Sequence, residues 1–276
     1  MTRIAACQLA PSIADLPANA ELSAGAARAA IADGADVVVL PELVTSGYVF
    51  ADAEEARSVA VRADHGVFAA WAAACTAHQG AVVVGGFCEA GDDGQLYNSA
   101  ALVDASGVRA VYRKAHLWDT EKRVFTPGSA APPVVETVHG RIGVVVCYDL
   151  EFPEWTRTVA LSGADLLVVP TNWPLEERPA GERPGEQQVA MSTARLNHLA
   201  IACADRTGAE RGVAWTEGTC VVSADGWIVD AVGAGSGTAW ADLDLEASRD
   251  KHLAGAAHLW DDRRPELYER VTAPRA

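Results

Sequence analysis

Four short apolar runs constrain the fold of this chain more than any other feature. They are 36-DVVVL-40, 81-AVVVGGF-87, 141-RIGVVVC-147 and 165-DLLVVP-170. Short runs of this kind are typical of strands that are buried on both faces. Segments with helical patterning occur between them, such as the Ala- and Leu-rich residues 17–33 before Gly34. The alternation predicts an α/β protein in which helices cover the faces of a sheet.

Further elements add antiparallel strands to this alternation. Gly107 separates two strand-like segments, 95–105 and 108–114, which predicts a hairpin and therefore a mixed sheet system. The remaining predictions are a strand at 3–10, helices at 53–79, 152–163 and 184–199, several strands within 200–245 and a short helix within 263–271. No segment is typical of an interdomain linker, so we expect one domain over 1–276, with a core at about 3–245 and a tail at 246–276.

Composition narrows the classes of function. The chain is 50% hydrophobic and carries a formal net charge of −15. The apolar fraction suits a substantial core, and the acidic charge repels nucleic-acid phosphates, so we expect no nucleic-acid partner. The sequence has no apolar run of about 18 residues and no basic flank of the kind that begins a signal peptide. We therefore expect no membrane span and a cytoplasmic location.

The cysteines contain one exceptional position. Six of them are scattered without a CxxC pair, which argues against a zinc ribbon or thioredoxin-type site and favours reduced thiols. Five are interpreted as buried, apolar side chains. Cys147 differs because a buried strand ends there and a polar segment that starts a helix follows. Such a corner exposes a side chain at the edge of a sheet, where backbone N–H groups stabilise negative charge, so Cys147 is a candidate nucleophile.

A thiol nucleophile needs a base, and the histidines offer no strong candidate. A carboxylate can replace an imidazole if burial raises its pKa toward neutrality. Glu42 follows an apolar strand and a proline in 38-VVLPELVTSGY-48. Lys114 ends a predicted strand, and Glu121 follows seven residues later. Taken singly, Glu42 is compatible with a residue that merely caps the next segment, and Lys114 and Glu121 are compatible with ordinary surface positions.

Taken together, these residues have a recognisable order. The sequence Glu, Lys, Cys, each at the end of an apolar strand, resembles the nitrilase superfamily of carbon–nitrogen hydrolases. The segments that carry the resemblance are PELVTSGY, YRKAHLWDTEKRVFTPG, GVVVCYDLEFPE, VVPTNWP, RLNHLAIACADRTG and RRPELY. The similarity spans nearly the whole chain, from Arg3 to Tyr268.

The resemblance implies a fold and a set of roles. The fold would be a four-layer α-β-β-α sandwich, with homodimers formed through a helix near 152–163. Cys147 would be the nucleophile, Glu42 the general base and Lys114 the catalytic lysine, with Glu121 as a second glutamate. The oxyanion would lie between Lys114 and a backbone N–H, that of Tyr148. No metal or organic cofactor would be needed.

The activity implied is hydrolysis of a small-molecule carboxamide to a carboxylic acid and ammonia through a cysteine thioester. Cys-Tyr-Asp at 147–149 is similar to the amidase and carbamoylase branches, whereas true nitrilases usually carry Trp-Glu after the cysteine. Hydrolysis of N-carbamoyl amines or acids, nitrile hydrolysis and acyl transfer remain alternatives. A non-enzymatic scaffold is disfavoured because all three triad residues are present.

Four residues are candidates for contacting the substrate. Tyr48, Trp118 and Trp173 are candidate apolar walls. Glu151 stands where many ω-amidase-like members carry an arginine, so it disfavours substrates with a second carboxylate and favours neutral or cationic ones. The Pro-, Gly- and Glu-rich residues 174–186 form either a solvated connection or a lid over the site.

Overall fold

Two six-stranded sheets form the centre of the molecule. A computed structural model describes residues 1–273. The strands are β1 (Thr2–Gln8), β2 (Val37–Val39), β3 (Val82–Ala90), β4 (Leu96–Asp104), β5 (Gly107–Arg113), β6 (Val134–Thr137), β7 (Gly140–Val144), β8 (Leu166–Pro170), β9 (Ala200–Ala204), β10 (Ala209–Glu210), β11 (Val213–Ala214), β12 (Cys220–Val222), β13 (Ile228–Ala231), β14 (Gly237–Leu243), β15 (His252–Ala254) and β16 (Ala257–His258). The helices are α1 (Leu16–Ala32), α2 (Ala53–Val59), α3 (Gly66–Cys75), α4 (Pro153–Leu161), α5 (Gly185–Asn197) and α6 (Glu269–Thr272).

The two sheets have matching topologies. The strand order is β14-β1-β2-β3-β4-β5 in the first sheet and β13-β12-β9-β8-β7-β6 in the second. Three parallel strands lie inside each sheet, β1-β2-β3 and β7-β8-β9, and antiparallel strands flank them. The parallel strands correspond to the apolar runs because they are covered on both faces. Their carboxyl ends place the following loops at the edges of the sheets.

Side-chain alternation along β1 shows how the layers stack. Ala5 and Cys7 pack with Trp71 of α3 and with α1, whereas Ile4 and Ala6 belong to the core that includes the second sheet. Helices α4 and α5 contribute buried residues to that second core. The order of layers is therefore helix, sheet, sheet, helix, which confirms the predicted α/β four-layer α-β-β-α sandwich.

The predicted helix at 53–79 was wrong as one element, because α2 and α3 are separated by residues 60–65. The Val61 N–H donates to the Cys88 carbonyl at 2.9 Å, and the Val61 carbonyl accepts from the Ala90 N–H at 2.9 Å. These bonds attach the segment to the end of β3 and satisfy backbone groups that a continuous helix would satisfy internally. Strand β6 was also missed. Among the helices of residues 1–273, none combines the length and apolarity needed to span a bilayer.

Candidate active site

The chain makes a sharp corner at Cys147. Strand β7 ends at Val144, a 3₁₀ turn spans Cys147–Glu151 and α4 begins at Pro153. Cys147 has φ of 47°, in the left-handed region that non-glycine residues rarely adopt, and its side chain is almost fully buried. Such backbone strain persists only where surrounding contacts impose it, and it is common at functional sites. The strand–turn–helix corner expected from the sequence is present, but the expected exposure of the Cys147 side chain was wrong, because the side chain packs into the core of the second sheet.

Asp149 supplies the contacts that hold this corner. Its carboxylate accepts hydrogen bonds from the Tyr112 hydroxyl at 2.7 Å, the Val146 N–H at 3.1 Å and the His116 N–H at 3.0 Å. The His116 ring Nδ1 lies 2.6 Å from the same carboxylate. Asp149 is fully buried, so these partners offset the cost of removing its charge from water. The network ties the turn of Cys147 to the end of β5, where the candidate lysine is located.

Three buried ionisable side chains meet beside the corner. The Lys114 Nζ lies 2.8 Å from the Glu42 Oε1 and 2.7 Å from the Glu121 Oε1, and all three residues are at most 4% exposed. The Asn98 side-chain amide also donates to Glu42 Oε1, at 2.7 Å, and the Tyr48 hydroxyl donates to Glu121 Oε1. The structure therefore brings together Glu42, Lys114 and Glu121 as the sequence predicted, and it adds Asn98, which sequence reasoning missed.

Burial and charge set the protonation of this cluster. Burial lowers the pKa of Lys114, but Glu121 and Glu42 outweigh that effect and raise its pKa well above the ordinary value. Burial raises the pKa of Glu42 to about 7, against the opposing charge of Lys114. Burial and the charge of Glu42 raise the pKa of Cys147 well above its ordinary value. The resting site therefore holds a neutral thiol, an ammonium and a carboxylate that titrates near neutral pH.

Asn172 connects the thiol to Glu42. Its side-chain amide donates to the backbone carbonyl of Glu42 at 2.9 Å. Its own backbone carbonyl accepts from the Cys147 thiol, with the Sγ at 3.9 Å. The second carboxylate oxygen of Glu42, Oε2, is buried and has no hydrogen-bond partner within residues 1–273. A buried carboxylate oxygen without a partner is costly, and it is suited to accept a proton.

The loop that carries Glu42 rests directly on Gly86 of β3. A Cβ atom at position 86 would lie 2.3 Å from the Leu43 backbone nitrogen and 2.5 Å from the Glu42 Cα. Gly86→Ala is therefore expected to displace Glu42, destabilise the protein by about 1–3 kcal/mol and lower activity by up to about 100-fold. Denaturant unfolding and ammonia-release kinetics would measure both effects. Gly66→Ala is the control, because a Cβ atom added at Gly66 would meet no atom within 4 Å; equal effects from both substitutions would contradict the explanation.

A cavity of about 400 Å³ opens onto Cys147. Its other lining residues are Trp118, Tyr148, Glu151, Trp173, Pro174, Glu176, Gly185, Glu186 and Val189. The predicted contact residues Trp118, Glu151 and Trp173 are thus on its wall. The loop 174–186 borders the cavity at both of its ends. Sequence reasoning missed Glu176 and Glu186, because nothing in the pattern of that loop shows which of its acidic residues face inward.

Tyr48 has a different place. It lines an adjacent cavity of about 550 Å³ together with Trp118, Glu121 and Phe125. Its hydroxyl is bonded to Glu121, and its backbone N–H donates to Glu210 at 2.8 Å. Trp118 therefore lines both cavities, and the second one reaches the cluster of Glu42, Lys114 and Glu121 from the side of Glu121. Within residues 1–273, no group of three or more His, Cys, Asp or Glu residues is arranged to hold a metal ion.

The fold and this site define a class of protein. The sequence model of the carbon-nitrogen hydrolase family matches residues 3–252, so the chain belongs to that family, the nitrilase superfamily, and is an enzyme acting on carbon–nitrogen bonds.

Particular relatives include both nitrilases and amidases. A nitrilase from Pyrococcus abyssi is 32% identical over 272 residues, which cover 98% of this chain and 100% of the relative. An (R)-stereoselective amidase from a Pseudomonas species is 32% identical over 219 residues, or 79% of this chain and 76% of the relative. The solved structure of an amidase from Nesterenkonia sp. AN1 has a TM-score of 0.79 at 28% identity, with coverage of 98% of this chain and 99% of that one.

Proposed function

We propose that the protein hydrolyses a small-molecule carboxamide to a carboxylic acid and ammonia through a thioester on Cys147. The observation that carries the proposal is the buried Lys114 ammonium, held between Glu42 and Glu121 beside a strained cysteine. A charged ammonium with fixed partners in a water-poor site is suited to stabilise an oxyanion. The amidase of Nesterenkonia sp. AN1 has been solved with acrylamide added to its active-site cysteine, which supports the role given to Cys147.

The first half of the reaction forms the thioester. Glu42 takes the thiol proton as the Cys147 sulfur attacks the amide carbon. The oxyanion that develops is stabilised by the Lys114 ammonium and the Tyr148 backbone N–H. Glu42 then gives its proton to the amide nitrogen, the carbon–nitrogen bond breaks and ammonia leaves.

The second half releases the acid. Water loses a proton to Glu42 and attacks the thioester carbon, and the same two donors stabilise the oxyanion. The carbon–sulfur bond breaks, and the thiol regains its proton from Glu42. Glu121 acts through Lys114: its Oε2 accepts from the Trp118 backbone N–H at 3.1 Å while its Oε1 accepts from the ammonium. The bond from Trp118 fixes the Glu121 carboxylate, and the fixed carboxylate holds the lysine in place.

The alternatives differ in the acyl group or in its acceptor. An N-carbamoyl acid carries a carboxylate, which needs a cationic group to bind it. None of the described residues that line the Cys147 cavity is an arginine or a lysine. Arg178 and Arg183 of the 174–186 loop line neighbouring surface cavities instead. This favours neutral or cationic amides over acids. Nitriles and acyl transfer use the same thiol and are separated by product analysis.

The test is a substrate panel with ammonia release as the readout. It contains aliphatic and aromatic amides, amino-acid amides, N-carbamoyl amines and acids, and nitriles, with hydroxylamine added in parallel reactions. Ammonia and acid from an amide would support the proposal. Hydroxamate without hydrolysis would indicate an acyltransferase. Turnover confined to nitriles or carbamoyl compounds would contradict the proposed hydrolysis of a carboxamide.

The pH dependence follows from Glu42. The general base must be ionised, and burial raises its pKa to about 7, so the free enzyme loses its base as the pH falls through that value. With a neutral amide, kcat/KM is expected to fall about tenfold per unit below about pH 7 and to remain level to about pH 9. Far-UV circular dichroism at each pH controls for unfolding. A level profile down to about pH 5 would contradict the role of Glu42.

The quaternary state and location are part of the proposal. A homodimer is expected from the family resemblance, and α4 leaves Leu161 39% exposed although Val159 and Ala160 are buried in the core of their own chain. Light scattering coupled to size-exclusion chromatography measures the oligomeric state directly.

A cytoplasmic location fits the six unpaired thiols at positions 7, 75, 88, 147, 203 and 220.

A further inference from the structure

Three carboxylates line the Cys147 cavity: Glu151, Glu176 and Glu186. We propose that the amide substrate carries a positive charge, as a primary ammonium or guanidinium group, at the end remote from its carboxamide. This inference rests on the proposed function, because it describes the occupant of the same cavity. Glu151 comes from the turn after Cys147, Glu176 from the 174–186 loop and Glu186 from the first turn of α5. The turn at Cys147 and the segment that leads into α5 therefore both direct acidic residues to one small space.

None of these carboxylates has a direct cationic partner in the part of the chain that the structure describes. Within residues 1–273, no hydrogen bond or ion pair joins the side chain of Glu151, Glu176 or Glu186 to another residue. Other acidic side chains of this chain do have cationic partners: Glu89 pairs with Arg113 and Asp165 with Arg249. The lining of the cavity thus carries three acidic side chains and no arginine or lysine, and a cation is the ligand that would compensate this charge.

The three groups are close enough to influence one another. Burial raises the pKa of Glu151, and the charges of Glu186 and Glu176 raise it further. Burial and Glu176 raise the pKa of Glu186, with Arg178 opposing from outside the cavity. The negative charges in the cavity therefore make ionisation of Glu151 and of Glu186 less favourable. A bound ammonium or guanidinium group would relieve that repulsion, whereas a carboxylate on the substrate would increase it.

The rest of the cavity suits a small cationic amide. Trp118, Tyr148 and Trp173 add aromatic surface, which contacts methylene groups and attracts cations. Next to the nucleophile, the buried Glu42 Oε2 has no partner in the described chain and is free to interact with the reacting amide. Thus one part of the site is adapted to the carboxamide, and the cavity that leads to it is adapted to a positive charge.

The experiment compares three substrates that differ only at the remote end: 4-aminobutanamide, pentanamide and glutaramic acid. They place an ammonium, a methyl group and a carboxylate at the same position. We expect kcat/KM to decrease in that order, with the ammonium preferred over the methyl group by at least about tenfold, because three partly exposed carboxylates each contribute a few-fold. The preference should decrease with added salt, which screens such charges.

Variants assign the preference to particular residues. Glu151→Gln, Glu176→Gln and Glu186→Gln are each expected to lower the ratio of kcat/KM for 4-aminobutanamide to that for pentanamide by about threefold. Glu177→Gln is the matched control, because it removes the same charge from the neighbouring position, which does not line the cavity. Its ratio should equal that of the wild type. Equal changes in the Glu177 and Glu176 variants would overturn the assignment to Glu176.

Failure of the inference and failure of the proposed function give different results. If pentanamide is hydrolysed as efficiently as 4-aminobutanamide, the cationic specificity is overturned and the amidase proposal stands. If neither amide releases ammonia, the amidase proposal loses support, and calorimetric binding to Cys147→Ala still tests the cavity. Tighter binding of 4-aminobutanamide than of pentanamide would support a cationic ligand, and equal or weaker binding would overturn it.

Discussion

Cys147→Ala is expected to lower amide hydrolysis by on the order of 10⁴-fold or more, because no thioester can form without the sulfur. The substitution removes one atom from a nearly buried side chain, so the fold should remain intact. Ammonia release measures the loss, and intact-protein mass spectrometry of quenched reactions should show an acyl adduct on the wild type only. The variant should also lose the adduct formed by thiol-directed reagents at the cavity.

The control for Cys147 is a second buried cysteine. Cys75→Ala changes α3, where the thiol packs with Trp71 and Phe68 on the far side of the first sheet. Its cost should be limited to stability, with kcat/KM preserved. Turnover by Cys147→Ala at more than about one hundredth of the wild-type rate would contradict covalent catalysis, since the loss of a nucleophile ordinarily removes far more than that.

Lys114→Met is expected to damage both activity and stability. Methionine has a similar shape but no charge, so Glu42 and Glu121 would be left buried without their shared partner. Removing one member of a buried ionic cluster typically costs about 3–5 kcal/mol of unfolding free energy. Loss of an oxyanion donor typically lowers kcat by about 10²- to 10³-fold. Denaturant unfolding and steady-state kinetics would measure the two losses separately.

Lys251→Met provides the matched control for a buried lysine. The Lys251 Nζ donates to the Asn197 and His198 carbonyls at the end of α5, and its ammonium lies 4.9 Å from the centroid of the Trp260 ring. This variant should lose stability but retain kcat. Adding Glu121→Gln to Lys114→Met should recover part of the stability without recovering activity, because it removes one unpaired charge. Wild-type kcat in Lys114→Met would contradict the role proposed for the ammonium.

The parts of the fold that could be predicted from the sequence are those determined by local pattern. The apolar runs of β2, β3, β7 and β8 identified the core strands, because parallel strands buried on both faces have no polar alternation. The gap between α2 and α3 could not be predicted in the same way. It depends on backbone bonds between Val61 and β3, which are distant in sequence and override the helical propensity of 53–79.

The candidate site shows the same division. Glu42, Lys114 and Cys147 could be selected because each follows a strand, and the structure brings Glu42 and Lys114 within 2.8 Å of each other. Asn98 could not be selected, because its bond to Glu42 joins segments of the first sheet that are distant in sequence. The role of Asp149 could not be selected either, because it depends on Tyr112 of the opposite sheet. His116 shows the limit of searching for a base by residue type: it stacks on Phe152 at 3.8 Å and contacts Asp149, so it supports the corner.

The acidic cavity and the cluster of Glu42, Lys114 and Glu121 are built from different kinds of structure. Glu42 and Lys114 follow strands β2 and β5, in the interior of the sandwich, whereas Glu176 and Glu186 belong to the loop and first helical turn at the surface. We therefore expect substitutions in 174–186 to alter which molecule is accepted while the proposed reaction itself is preserved. A lineage with this architecture can acquire new substrates by changing its surface loop, and the same loop is the natural target for directed evolution of the enzyme.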